Sequence, residues 1–350
     1  CQGYASDLLR VTAHDSRECF VPDVNVEVLL EKFSGLKIFF LVWIWVLLPL
    51  EPAGASGTDV ALQPTRVLLG TATPGGGFQL FGRHLADVVN GIEPSLRVTT
   101  VATRGSLENL KLLERGEIDI GLVEGNAAHR ALEGVGRSPA DLTVLSVMYP
   151  NPGMFAARAD SPYQGIEDLK GKPVAFGTRS SGLRILAGDV LDGIGLAPER
   201  DFEQVILEKA ADGPRLVLEG EVEALWGAGI GWPGFVKIAN DPKGARFIAP
   251  SAAQVERILV RHPHLRAMSV PAGTYRGQDE KIDSVGLWSL ILVRPQLPEK
   301  TVLRLASAIH KGEIELARRL EQGRYTTIRN TAIEVSTGRL HPGTVRLILE

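Results

Sequence analysis

Five short polar stretches stand where the chain leaves an apolar run: TATPGGGF from Thr71, TRGSLEN from Thr103, EGN from Glu124, GTRSSG from Gly177 and GAGIGWP from Gly227. Each is read as a loop at the carboxyl end of a strand, and in an open α/β sheet such loops hold ligands beside helix N-termini. Gly75, Gly76 and Gly77 free the backbone to approach a guest closely, and the helix opening behind them offers unpaired N–H groups and a partial positive charge. A carboxylate is the natural guest of such a nest. Ser106 at the next helix start, and Ser180 or Ser181 at another, would add hydroxyl donors without formal charge. Glycine and serine also serve plain turns and caps, so the weight lies in five such loops on two halves of the chain.

Catalytic chemistry has no comparable footing. The chain contains no Walker loop, no G-x-S-x-G elbow, no H-E-x-x-H and no C-x-x-C, and GAGIGW fails the dinucleotide fingerprint because Trp232 occupies the last glycine position. His262 and His264, in RHPHL, form the one close histidine pair, and they are read as a solvated loop before the strand AMSVP and not as a metal site. Acidic residues are scattered over amphipathic helix faces and yield no acid/base pair. No enzyme activity, metal or cofactor is expected.

The elements that position these loops follow from periodicity. RVLLG reads as a strand, and Phe78, Phe81, Leu85 and Val88 share a helical face that stops at Asn90-Gly91. LRVTTVAT is the next strand, followed by a helix capped by Ser106, ended by Gly116 and bearing Leu107, Leu110 and Leu113. The strand EIDIGLV follows. A second unit opens with DLKGKPVAFG and a helix carrying Leu183, Leu186 and Val190 on one side. LLERGEIDIGLV echoes LVLEGEVEALW: helix end, glycine stop, Glu, alternating strand. The expected fold is α/β with two similar lobes, each a mainly parallel sheet flanked by helices. The extended runs Leu142 to Arg158 and Asp283 to Arg294 would carry the chain across and back. Lobe one would then be residues 56–159 and 276–350, and lobe two residues 160–275, with closing helices from Pro298 to Leu320 and around His341 on lobe one.

With 350 residues, 44% apolar and 23% charged, the chain is long enough for two ordinary domains. Ile38 to Leu50 is an apolar run preceded by Lys32 and Lys37 and followed by Ala53, Gly54 and Ala55, the order of a secretory signal. The run falls short of the roughly 20 residues of a spanning helix. Residues 37–55 are therefore read as signal core and cleavage site, and residues 1–36 as a doubtful leader, an over-extended reading frame with a start expected near Val28 to Leu30. Both cysteines lie in that leader, so no disulfide is expected after Ala55. From Ser56 onward acidic and basic residues balance, which argues against nucleic acid or an anionic membrane as partner.

From Val67 to Leu349 the chain resembles the TAXI family of extracytoplasmic solute receptors, which serve tripartite ATP-independent periplasmic (TRAP) transporters. The likeness rests on LGTATPGGGF, GSLENLKLLERGEIDIGLVEGN, DLKGKPVAFGTRSSG, VPAGTYRGQD, LPEKTVLRLASAI and LHPGTVRLILE in that order. It implies the type II periplasmic-binding-protein fold, with lobes joined by hinge strands and closing on a small carboxylate, such as glutamate or another organic acid, for a TRAP permease. The protein would be periplasmic and monomeric. The matched positions would be Thr71 and Gly75 to Phe78 for the nest, Ser106 and Asn109, Glu124 and Asn126, then Ser180, Ser181, Gly182 and Trp232; Tyr275 is added as a second aromatic at the cleft.

Two departures bear on specificity. The first loop has Ala72, Pro74, Phe78 and Gln79 where the family has further glycines and two tyrosines, and Glu124-Gly125-Asn126 stands where many members have Gln-Ser-Asp. A carboxylate at Glu124 would repel an acidic side chain and welcome an amine. A ligand-sensing module for a membrane signalling protein would use the same lobes, and an enzyme acting in the same cleft lacks the groups it would need.

Overall fold

The computed structural model describes residues 63–350, and the readings of the leader and the signal segment lie outside them. The first half runs β1 (Thr65–Gly70), α1 (Gly77–Ile92), β2 (Leu96–Val101), α2 (Ser106–Glu114), β3 (Ile120–Val123), α3 (Gly125–Glu133) and β4 (Thr143–Pro150). The second runs β5 (Gly153–Arg158), β6 (Pro173–Thr178), α4 (Leu183–Gly193), α5 (Pro198–Asp201), β7 (Glu203–Leu207), α6 (Asp212–Glu219), β8 (Ala224–Ala228), α7 (Pro233–Ala239), β9 (Ala245–Ile248), α8 (Ala252–Arg261), β10 (Arg266–Val270) and β11 (Ile282–Gly286). The chain closes with β12 (Trp288–Val293), α9 (Glu299–Lys311), α10 (Glu313–Arg319), α11 (Ile328–Glu334) and α12 (Pro342–Leu349).

These strands form two five-stranded sheets of the same design, ordered β2-β1-β3-β12-β4 and β7-β6-β8-β5-β9. In each, the first three strands are parallel, and the fourth runs antiparallel to both neighbours. The echoing segments end in β3 and β8, which hold the same place in their sheets, so the sequence repeat is a repeat of structure. The expected two-lobed α/β arrangement is therefore present, with each sheet mixed: three parallel strands followed by an antiparallel fourth.

Parallel strands covered on both faces need apolar residues on both. In the first sheet Val67, Leu69, Ile120 and Leu122 face one cluster with Phe81 and Leu85 of α1, while Val123, Val144 and Leu292 face the other with Leu110 and Leu113 of α2. In the second, Phe155, Val174 and Trp226 pack under α4, and Met154, Ala175 and Leu225 pack under α7. Each large buried side chain contributes about 1.5–3 kcal/mol.

The fourth strand of each sheet is the first that the chain forms after crossing from the other lobe. β4 ends at Pro150 in the first sheet and β5 begins at Gly153 in the second; β11 ends at Gly286 and β12 begins at Trp288 back in the first. At this crossing Asn151 N donates to Leu287 O at 3.1 Å, and Asn151 Nδ2 to Ser289 Oγ at 2.6 Å. A Cβ on Gly286 would lie 1.9 Å from Asn151 O, so only glycine permits this approach. The run Asp283 to Arg294 is thus two strands, broken at Leu287, with β11 pairing β10 in a separate ribbon. α1 passes the expected stop to Ile92, because Asn90 turns aside to bond Val98 N and O. Gly312 divides the closing helix into α9 and α10. Among the described residues no helix is long and apolar enough to cross a membrane.

Candidate functional site

The carboxyl ends of β1, β3, β6 and β8 open on one cleft of about 70 Å³ between the sheets. The first lobe contributes Thr73, Gly76, Gly77, Phe78, Gly105, Ser106, Glu124 and Tyr149; the crossing strands contribute Asn151 and Ser289; the second lobe contributes Thr178, Ser181, Gly182, Leu183, Trp226 and Trp232. Of the residues nominated from sequence, Gly76, Gly77, Phe78, Ser106, Glu124, Ser181, Gly182 and Trp232 are therefore brought together.

α1 begins after Gly76 with no side chain capping its first turn. Gly76 N is used by Thr73 O at 3.2 Å, which leaves the first-turn amides that follow for a guest. Ser106 is the first helical residue of α2 and not its cap, since Gly105 takes that place at φ +117°. Its Oγ accepts from Glu124 N at 3.0 Å, so its own proton remains to be donated. Ser181 Oγ accepts from Leu183 N at 3.3 Å beside the start of α4.

Glu124 is the N-cap of α3: its Oε2 accepts from Asn126 N at 3.0 Å and Ala127 N at 3.2 Å. Its Oε1 is buried and has no partner among the described residues. The side chain is 2% exposed. Burial away from water pushes its carboxyl up to about 8 against the pull of those two amides. The other charged residue at the cavity, Arg104, has its side chain 75% exposed at the rim and paired with Glu108 at 2.9 Å.

Six nominated residues do other work. Asn109 is fully buried and its Nδ2 donates to Thr71 O and Leu122 O, both at 2.8 Å, while Thr71 Oγ1 donates to Val101 O; the pair ties β1 to β2 and β3. Asn126 Nδ2 reaches away from the cavity to Asp189 Oδ2 at 3.1 Å. Ser180 presents its carbonyl to Leu107 N at 3.1 Å. Tyr275 is core, between Phe235 and Phe247, its hydroxyl donating to Gly229 O at 2.9 Å. Gly75, at φ +78°, is where the other lobe arrives: a Cβ there would lie 2.5 Å from Ala211 Cβ.

This last contact belongs to a line of close approaches between the lobes. A Cβ on Gly76 would meet Ala210 Cβ at 3.3 Å, one on Gly77 the Trp232 ring at 2.9 Å, and one on Gly182 would stand 2.6 Å from Glu124 Cβ. The glycine run therefore serves closure of the two lobes as well as any guest. The GAGIGWP loop is likewise partly packing: a Cβ on Gly227 would strike the Trp232 ring at 2.7 Å, so that glycine makes room for the indole.

His262 and His264 are not in a solvated loop. Their side chains are 17% and 21% exposed; His262 Nε2 pairs with Asp192 at 2.8 Å, His264 Nε2 lies 3.4 Å from Asp189, and the His264 ring stacks on His129 of the first lobe at 4.6 Å. No group of three or more metal-ligating side chains occurs among the described residues. Tyr149, Asn151, Thr178, Trp226 and Ser289 were not nominated from sequence. Asn151 and Ser289 carried a signal, since both lie in the crossing runs; Trp226 closed the echo segment.

A family model matches residues 69–350, nearly the whole of the described chain. The chain belongs to the NMT1-like family. This NMT1-like protein also superposes on solved structures. The alkanesulfonate-binding protein SsuA from Xanthomonas axonopodis pv. citri bound to MOPS is 18% identical, over 82% of this chain and 84% of that one, with a TM-score of 0.47. Tv2483 bound to L-arginine is 10% identical, over 75% and 92%, with a TM-score of 0.49. The substrate binding protein of an amino acid ABC transporter is 11% identical, over 74% and 97%, with a TM-score of 0.44.

Proposed function

We propose that this NMT1-like protein is an extracytoplasmic solute receptor that closes two lobes on a small carboxylate-bearing ligand and delivers it to a membrane permease. The observation that carries the reading is the cleft between the sheets, into which α1 opens without a cap while hydroxyls of Ser106 and Ser181 flank it from opposite lobes. Such a place stabilises an anion by amides and helix charge rather than by a cationic side chain. Neither a nucleophile with an adjacent base nor a metal set lines it, so binding without turnover is the function it fits. The crossing at Asn151 and Leu287 supplies two short connections about which the lobes can hinge.

Within this reading the permease is of the TRAP type and the subfamily TAXI, on the strength of the loop motifs and their order. The receptor acts in the periplasm as a monomer, released by the signal segment before Ser56. The lobes are those drawn from the sequence, residues 56–159 with 276–350 and residues 160–275, with β5 and β11 moved into the second lobe because β5 is a strand of that sheet and Ile282 and Val285 of β11 pack in its core.

Native mass spectrometry of the purified protein, compared with the same sample denatured, is the test. A releasable carboxylate adduct is expected, and a carboxylate at a hundred times its Kd should stabilise the fold by about 2.7 kcal/mol in a thermal melt. A bare protein that no carboxylate or amino acid stabilises counts against the receptor reading.

A further inference from the structure

Resting on that reading, we infer that Glu124 selects the ligand class: it is the counter-ion for a protonated nitrogen carried beside the ligand carboxylate, and it gives up a proton when that nitrogen enters.

The argument starts from what the cavity already offers. The uncapped start of α1 and the hydroxyls of Ser106 and Ser181 are donors, and they suffice for a carboxylate. Among the lining residues the charged groups are Arg104, whose side chain is spent at the rim on Glu108, and Glu124. Glu124 Oε2 is occupied by two amides; Oε1 is buried with nothing to accept from. A polar oxygen buried without a partner, protonated or not, costs about 1–3 kcal/mol, and a cationic N–H facing the ionised form is the group that removes that cost most fully.

Charge points the same way. Glu124 is faced by Arg130 from its own helix, which favours the ionised form, and by Asp189 from α4, which disfavours it. Tyr149 of β4 and Ser106 of α2 bring no positive charge. With burial holding the carboxyl up to about 8, it stands protonated near neutral pH. A ligand ammonium reverses the balance: the carboxyl O–H proton leaves to the buffer, and a carboxylate–ammonium pair forms with Oε2 still held by its amides. A purely acidic ligand brings no cation to form that pair, so it has no such gain.

The test uses matched probes that differ in one group: L-alanine against L-lactate, L-leucine against L-2-hydroxyisocaproate, L-glutamate against L-2-hydroxyglutarate. Isothermal titration calorimetry in phosphate and in Tris at pH 7 reads both affinity and protons released. For whichever pair fits the cavity, the amine member should bind at least about tenfold tighter than its hydroxy twin and release close to one proton, with affinity rising up to about tenfold per pH unit below 8. Glu124→Gln should abolish the release and bring the twins to within about threefold. Twins of equal affinity in the wild-type protein, or binding without proton release, overturn the inference and leave the carboxylate receptor standing. If neither member of any pair binds and no carboxylate stabilises the protein, the receptor reading falls and this inference with it.

Discussion

Glu124 and Asp189 are both acids buried where the lobes meet, at 2% and 4% exposure, yet their surroundings are opposite. Asp189, on α4, takes Asn126 Nδ2 at 3.1 Å and Arg130 Nη2 at 2.6 Å from the first lobe, with His264 Nε2 at 3.4 Å from its own. Both carboxylate oxygens therefore accept a hydrogen bond from the opposite lobe, and His264 adds a nearby ring nitrogen. Glu124 has two amides on one oxygen and nothing on the other. A saturated acid is a fastener, because nothing remains for a ligand to satisfy. An unsaturated one is a cost to the empty fold that only an added partner removes, and such costs collect where function needs them. Asp189 therefore reads as the closure latch and Glu124 as part of the site, although one residue, Asn126, lies between them in the network.

The largest expected effect breaks the comparison through pH. Burial pushes the folded-state carboxyl of Glu124 up to about 8, above the ordinary glutamate value of about 4.5, so the folded protein holds a proton that the unfolded chain has lost over that window. The raised value means stability falls as pH rises from about 4.5 through 8, by a few kcal/mol in all for a shift of this size. Glu124→Gln cannot ionise and should lose that slope. Denaturant melts of ligand-free wild type and Glu124→Gln at pH 5, 7 and 9 should converge at the low end and diverge at the high end, the variant becoming the more stable. Parallel curves would mean that Glu124 is solvated and is an ordinary cap.

The second effect is at the fastener. Asp189→Ala leaves Asn126 without its partner and Arg130 with an unpaired charge. Breaking a buried pair costs about 3–5 kcal/mol, and since Arg130 is 40% exposed and can turn to water, about 2–3 is expected here. The loss should show in denaturant midpoint without any change in the proton released on binding. A loss below about 0.5 kcal/mol would place the latch in the ordinary surface class.

How far these roles could be read from sequence follows from the distances involved. The strand-to-glycine-to-helix opening at Val67 to Phe78, the repeated units and the crossing runs are local patterns, and each stands where the residues put it. Periodicity reports on a residue's own element and its face. It cannot report that Asn126 meets Asp189, 63 positions away, nor that Gly75 makes room for Ala211 and not for a ligand. Tyr275 shows the same limit from the other side: an aromatic after a loop looks available until Phe235 and Phe247 are folded around it. Glu124 was visible as a departure from its family's pattern, but its N-cap bonds, which fix one oxygen and leave the other, exist only once α3 has formed.

The smallest expected change in stability sharpens the contrast within one helix, since α4 carries Asp189 in its body and Gly182 at its start. Gly182 sits at φ −63°, where alanine is at home, so Gly182→Ala carries no backbone strain of its own. Its Cβ would nevertheless lie 2.6 Å from Glu124 Cβ and 2.9 Å from Ser106 Oγ, on the opposite lobe. The new methyl should act as a wedge: fold stability within about 1 kcal/mol of wild type, with ligand affinity down at least about tenfold because closure no longer completes. Gly188, in the same helix with nothing within 4 Å of its Cβ position, is the control. Gly188→Ala should stabilise by about 0.5–1 kcal/mol through helix propensity alone and leave affinity unchanged. Equal affinities for the two variants would mean that the lobes need not approach as closely as Gly182 and Glu124 do here, and would detach the unsaturated oxygen of Glu124 from the closed state in which it is expected to meet its ligand.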